Sequence, residues 1–471
     1  MLVYLFDQVT KSFNYMRKLV IVLLTLTTYP AWAQTNWPSN IQLAKLDNGL
    51  QVLVVEDNSV PLVTVEIAVR NGSFTEENEF NGLSHLYEHM FFKANKDIPS
   101  QEKYLDRVHE LGIVFNGTTQ TELVNYFFTL GSKQLTEGLK FMNSAIRYPL
   151  FLQEEMKKEN PVVDGEFQRQ ESNPFFPLID GFNHKMWGSL YSRKNPIGDH
   201  QIILTATTEK MKVIKDKYYY PNNSLLTVAG AVKYADVIAR VKEIFGDWKP
   251  SDFDPFQKYP LPGFKALNSA DSLSFVVLNE NARVPVLQIG WHGPDTRTDL
   301  KNTIVADVFS YILTQKTSTF QKNLVDSGYA LNAGLNYFTQ AYVGPITLFF
   351  VPNPGKFKTA FRALQKQIDQ FDSDDYFTDE QLETSKTKLI NQDIYGREVT
   401  SQFVHTLSFW WSSASLDYYF TYLDQIRKIN RDDIKSYVRK YIKGQPSVKG
   451  LLLNPGMQKN WNVTDLDALF K

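Results

Sequence analysis

The chain repeats itself once, and this constrains its fold more than any local signal does. Pro61-Leu62-Val63-Thr64-Val65 opens a strand, and Pro285-Val286-Leu287-Gln288-Ile289 opens another 224 positions later. Each is followed by a polar loop and an apolar helix, the second over residues 303–315. Near the end of each half, Met211-Lys212 through Lys217-Tyr218 and Ser224 echo Ile434-Lys435 through Lys440-Tyr441 and Ser447, an offset of 223. Both segments read as a helix, a turn containing Pro and a final strand, Leu225–Val228 and Gly450–Leu453. Two matching offsets at opposite ends of the halves imply duplication of a whole unit.

The joint between the copies falls where turn and extended signals crowd together. Asp247-Trp248-Lys249-Pro250, Asp254-Pro255 and Pro260-Leu261-Pro262-Gly263 mark it. The predicted layout is a signal segment at 1–34, a first domain at 35–250, a linker at 251–272 and a second domain at 273–471. Strands and helices intersperse within each half. The expected class is therefore α+β, two homologous domains each with a mainly antiparallel sheet packed against helices. An apolar content of 43% supplies two cores of that size.

The N-terminus reads as an export signal. Met16-Arg17-Lys18 is a basic start, residues 19–29 are apolar, and Ala31-Trp32-Ala33 is a small-x-small cleavage site. Met16 opens a more typical signal than Met1, so translation is expected to start there. The apolar run is short for a bilayer span, and no later segment approaches about 20 apolar residues. The expected location is periplasmic, with no integral membrane segment after signal removal. A net charge of −1 without Lys/Arg clusters gives no nucleic-acid surface. There are no cysteines, which leaves His and carboxylate as metal ligands.

Chemistry concentrates in His85-Leu86-Tyr87-Glu88-His89. In a helix, residues i and i+4 share a face, so both imidazoles can reach one cation. Glu88 leans over that face, close enough to take a proton from a metal-bound water. This His-x-x-Glu-His order is that of the inverted zincins. A catalytic zinc usually has three protein ligands and an open position. The segment Glu159-Asn160-Pro161-Val162-Val163-Asp164-Gly165-Glu166 offers carboxylates two helical turns apart, hence on one face. Pro161 and Gly165 are poor interior helix residues, so Asn160 is expected as N-cap with Pro161 at the first helical position. That would leave Glu159 outside the regular turns. At the 224 offset the motif falls on Phe309, Ile312 and Leu313, so the second copy is expected to fill the site with core residues.

Here the chain resembles the pitrilysin/insulinase peptidase family, which includes the mitochondrial processing peptidase. Glu166 stands 77 positions after His89, and Glu159 seven before Glu166, as the family's pattern requires. Asn81-Gly82-Leu83-Ser84, Phe91-Phe92-Lys93 and Asn116-Gly117-Thr118-Thr119 to Tyr126-Phe127 match as well. The resemblance implies one zinc ion per chain on His85, His89 and Glu166, with Glu88 as general base and Glu159 supporting the ligands. It implies hydrolysis of extended or unstructured peptides, added as a strand to a sheet edge at Asn116–Tyr126, with Asn116 and Tyr126 as substrate contacts. Family members also use an Arg and a Tyr, seven apart, in the metal-free domain. Aligned on Phe320-Gln321 and Gly328, those positions here are Leu324 and Leu331. Lys322 and Tyr329 have the spacing only after a two-residue shift that breaks the Gly match. The division of labour this suggests is a heterodimer with a related Arg/Tyr-bearing subunit, or a homodimer. The other reading is a non-catalytic scaffold or assembly subunit of the same fold.

Overall fold

The structure, a computed structural model, describes residues 37–271 and 273–471. The signal read at 1–34 lies outside the described residues. Two sheets account for the named strands. The first has six: β1 (Ile41–Lys45), β2 (Gln51–Glu56), β3 (Leu62–Val69), β4 (Val114–Thr119), β5 (Val124–Gly131) and β6 (Ser224–Gly230). Their order is β1-β2-β6-β3-β5-β4. The second has β7 (Ser274–Leu278), β8 (Val286–His292), β9 (Ala330–Tyr337), β10 (Pro345–Pro352) and β11 (Val448–Leu453), in the order β7-β11-β8-β10-β9. The second order is the first without β1. Each sheet is antiparallel except for one parallel pair, β2 with β6 and β7 with β11. The fold is thus two-domain and mixed, with each sheet packed against helices.

Six helices position the sites: α1 (Leu83–Phe91), α2 (Gln153–Glu171), α3 (Phe176–Trp187), α4 (Leu300–Thr314), α5 (Asp379–Gly396) and α6 (Thr400–Ser413). In each half one sheet face meets the helices of its own half. The other face is covered by a helix from the opposite half. α3 lies across β11 and β8, while α6 lies across β3 and β6. Phe182 and Leu178 of α3 fill the space over Gly290 and Gly450, where a Cβ would collide with them. α6 is held by polar contacts: Arg70 donates to the Trp411 carbonyl at 3.0 Å, Trp411 Nε1 donates to Gln51 at 3.1 Å, and His405 pairs with the buried Glu66. The halves are therefore joined by a reciprocal exchange of helices.

The structure also resets the register of the repeat. Val65 of β3 faces Phe128 of β5, and Leu287 of β8 faces Phe350 of β10, so these strands correspond at an offset of 222. The helices agree. Leu83, Leu86, Tyr87, Met90 and Phe91 are buried in the first core, as Val305, Val308, Phe309, Ile312 and Leu313 are in the second. The partly accessible His85 and His89 match the partly accessible Asp307 and Tyr311. The expectation that Phe309, Ile312 and Leu313 replace the motif is corrected: those three are core, as their counterparts Tyr87, Met90 and Phe91 are, and polar Asp307, Ser310 and Tyr311 replace it.

Candidate metal centre

The motif helix is anchored by a carboxylate far from the motif. Gly82 caps α1 at φ 89°, and the Gly198 Cα sits 2.5 Å from where a Gly82 Cβ would stand, so only glycine fits this turn. Glu76 accepts the N–H of Gly82 at 2.8 Å and of Ser84 at 2.7 Å, satisfying donors the helix start would otherwise orphan. Burial nonetheless pushes the Glu76 carboxyl up to about 8.

From this anchored helix, His85 and His89 project side by side, their rings 4.9 Å apart at 83°. Glu166 of α2 faces both, its Oε2 lying 3.5 Å from His85 Nε2 and 3.8 Å from His89 Nε2. These separations are too long for good hydrogen bonds. Three electron-pair donors thus converge without binding one another, within 4.8 Å, and they are the only such group among the described residues. Burial, then the neighbouring His89, lowers His85 to about 4, which keeps its imidazole neutral. A cation taking nitrogen and carboxylate ligands fits this set.

Glu159 holds His89 from behind, its Oε1 2.8 Å from Nδ1, and its other oxygen meets Lys93 Nζ at 2.5 Å. Burial works to raise Glu159, but His89 and Lys93 outweigh it and hold the carboxyl below its usual range. Burial would also lower His89, yet the Glu159 hydrogen bond and the charges of Glu88, Glu159 and Glu166 leave it raised. The pairing directs the Nδ1 proton toward Glu159 and leaves the Nε2 lone pair available to a cation. Here the expected N-cap at Asn160 is corrected. α2 runs unbroken from Gln153 to Glu171 with Pro161 inside it, so both glutamates stand on regular turns. Pro161 is solvent-facing, and water can take up the Lys157 carbonyl it leaves unpaired.

Glu88 lies beneath the sheet edge. Its Oε2 accepts from Thr119 Oγ1 at 2.7 Å, and a Cβ on Gly117 would sit 2.8 Å from its Cγ. Burial raises the Glu88 carboxyl, Thr119 and His89 oppose this, and Glu166 adds to it. β4 is one of the two edge strands of the first sheet and carries Asn116. Tyr126 does not join it there. It belongs to β5, is fully buried, stacks on Phe91 at 3.8 Å and pairs its hydroxyl with Tyr219 at 2.8 Å. A residue in that position offers a peptide no side-chain surface. Sequence reasoning missed the roles of Glu76, Lys93, Gly117 and Thr119. Lys93, Gly117 and Thr119 sit in segments that match the family, but only the fold shows which carboxylate each one touches.

Leu324 is fully buried, and Leu331 is exposed on the edge strand β9. The lone histidines find ordinary partners: His200 meets Asp164 and Glu171, and His292 Nε2 meets the Met186 carbonyl at 2.8 Å. No helix of the described residues is long and apolar enough to cross a membrane.

Comparison with known proteins agrees with the fold. Residues 51–189 match the family model "Insulinase (Peptidase family M16)", and residues 205–389 match "Peptidase M16 inactive domain". The chain belongs to peptidase family M16, the insulinase family. It is 26% identical over 364 residues to the zinc protease PqqE of Helicobacter pylori, covering 76% of this chain and 80% of that one. It is 27% identical over 217 residues to an uncharacterized zinc protease of Rickettsia felis, 46% of this chain and 52% of the relative. That match spans about half of the relative's length. The crystal structure of a protease from Helicobacter pylori superposes with a TM-score of 0.75 at 21% identity, over 88% of this chain and 99% of that one.

Proposed function

We propose that the chain is a zinc-dependent endopeptidase that hydrolyses extended or unstructured peptides, with one zinc held by His85, His89 and Glu166. The observation that carries this reading is the convergence of the two Nε2 atoms and the Glu166 carboxylate beside a buried carboxylate, Glu88. A zinc ion there would supply a water acidified to about pKa 7 and a Lewis acid for the scissile carbonyl. Glu88, oriented by Thr119, takes the water's proton and delivers it to the leaving amine. Glu159 acts through His89, fixing its ring and tautomer. A peptide would pair with the open side of β4, where Asn116 lies, adding a strand next to Glu88.

In this reading the division into 35–250, 251–272 and 273–471 separates the metal domain from its metal-free copy. The export signal makes the enzyme periplasmic. Leu324 and Leu331 provide neither the charge nor the hydroxyl expected at their positions, which favours a related partner chain that brings them. The scaffold alternative is disfavoured because every ligand and the base are present and mutually oriented. The test is hydrolysis of unstructured peptides by the zinc-loaded chain, alone and with a related Arg/Tyr-bearing chain, with Glu88→Gln as blank. Glu88-dependent cleavage in either arm supports the peptidase. Cleavage by the single chain at full rate removes the partner. Zinc binding without cleavage in both arms leaves the scaffold reading.

A further inference from the structure

The corrected register turns the second domain's counterpart of the metal site into a feature of its own. Asp307 and Tyr311 stand on α4 where His85 and His89 stand on α1, and the Tyr311 hydroxyl meets Gln392 of α5 where His89 faces Glu166 of α2. The site has not collapsed. A cavity of about 450 Å3 remains there, and Asp307 lines it. Its walls are aromatic, with Tyr337 from β9, Trp410 from α6, and Tyr419 and Tyr422 from the helix Leu416–Lys428.

The charges within the cavity are unequal. Asp393 is neutralised by Arg397 at 2.6 Å and accepts the Tyr419 hydroxyl at 2.6 Å. Asp307 has the Tyr422 hydroxyl at 2.5 Å and no ion pair among the described residues. Two of the rings already carry cations: Lys388 Nζ stands over Tyr311 at 5.4 Å and the Arg397 guanidinium over Tyr419 at 5.3 Å from the ring centroids. One carboxylate without a counter-ion among the described residues, in a cavity lined by aromatic side chains, is complementary to a soft organic cation. Neither oxygen-rich octahedral nor histidine coordination for a metal is present.

We propose that this cavity binds an alkylammonium or guanidinium group, neutralised by Asp307 and set against the rings of Tyr337 and Trp410. The group belongs either to a free amine or to a Lys or Arg side chain of a peptide; the recognition chemistry is the same. Burial raises the Asp307 carboxyl to about 7 against the Tyr422 hydrogen bond, so an arriving cation competes with a proton. Of the other groups facing it, burial also raises the Tyr311, Tyr337, Tyr419 and Tyr422 hydroxyls, and Arg397 offsets Asp393.

The test is calorimetric titration of the full, zinc-loaded chain with n-butylammonium, methylguanidinium, and a Lys peptide beside its norleucine twin. Saturable binding is expected, weakened at least ~10-fold by Asp307→Asn. A second variant, Thr406→Lys, places a tethered ammonium in the cavity and is expected to abolish binding. If the small cations bind as tightly as the Lys peptide, the ligand is a free amine. If only the Lys peptide binds, and norleucine loses at least ~10-fold, the ligand is a peptide side chain. Absence of binding by every probe overturns the proposal, as does wild-type affinity in both variants. Binding is read without turnover, so its failure is distinct from failure of the peptidase reading.

Discussion

Gly117→Ala tests the geometry of the proposed general base, Glu88, without altering it. The new methyl would lie 2.8 Å from Glu88 Cγ, 2.9 Å from Glu88 Oε1 and 3.1 Å from the Asn125 carbonyl. A carbon–carbon contact relaxes at about 3.5–4.0 Å, so the clash with Cγ requires a shift of roughly 0.7–1.2 Å. The carbonyl belongs to β5 inside the sheet, and Cγ is only one bond beyond a Cβ fixed to the helix. If Glu88 turns away, its 2.7 Å hydrogen bond from Thr119 breaks and the carboxylate moves off the position at which the proposed mechanism has it take a proton. A misplacement of ~1 Å costs about 10²-fold in rate, equivalent to ~2.7 kcal/mol of barrier. If instead β4 moves outward, overpacking costs about 1–3 kcal/mol of stability. The assay is kcat per bound zinc on an unstructured peptide, measured beside thermal unfolding. Zinc content should match wild type, because Gly117 touches no ligand. Wild-type kcat together with a wild-type melting temperature would refute the close approach of β4 to Glu88.

Other expectations follow from named contacts. Glu159→Gln retains the shape but loses the charge behind His89, and zinc affinity should fall about 10–100-fold in a competition titration with a chelator. Gly165→Ala adds a methyl to open space inside α2, and chemical denaturation should show a gain of about 0.5–1 kcal/mol. Burial works to raise Asp299, but Lys440, Tyr441 and Asn302 hold it at about 2. Its contribution is therefore present above about pH 4 and is lost as pH falls through 2. The stability difference between wild type and Asp299→Asn should shrink over that window in acid titrations.

The local chemistry of the site could be read from the sequence because helical periodicity acts over one or two turns. His85 and His89 share a face by spacing alone, and Glu166 follows once α2 exists. The reading failed where nonlocal forces decide. Pro161 suggested a helix start, yet packing of Met156, Asn160 and Val163 carries the helix through it. Tyr126 sits in a segment that matches the family, but strand alternation and the Phe91 ring place it in the core. The two-residue slip between the copies arose because α4 is buried around most of its circumference, with apolar residues at nearly every turn position from Ile304 to Leu313. Many registers satisfy such a helix until the partners of β8 fix one. Glu76 lies before the matching segment that opens at Asn81, and no pattern announces it.

The helix exchange restricts how this molecule can move. A chain with two domains and a proline-rich connection suggests a clamshell, opening at the connection to admit substrate. Such a swing would strip α3 from β8 and β11 and α6 from β3 and β6. Leu178, Phe182, Met186 and Trp187 on α3 are all buried, at about 1.5–3 kcal/mol for each such side chain. Opening of that kind amounts to partial unfolding of both halves at once. The molecule is better described as two hands clasped through each other than as a hinged pair. On the proposed reading, a peptide would have to thread in from the rim along β4, its length and slackness, not a gate, deciding whether it reaches Glu88.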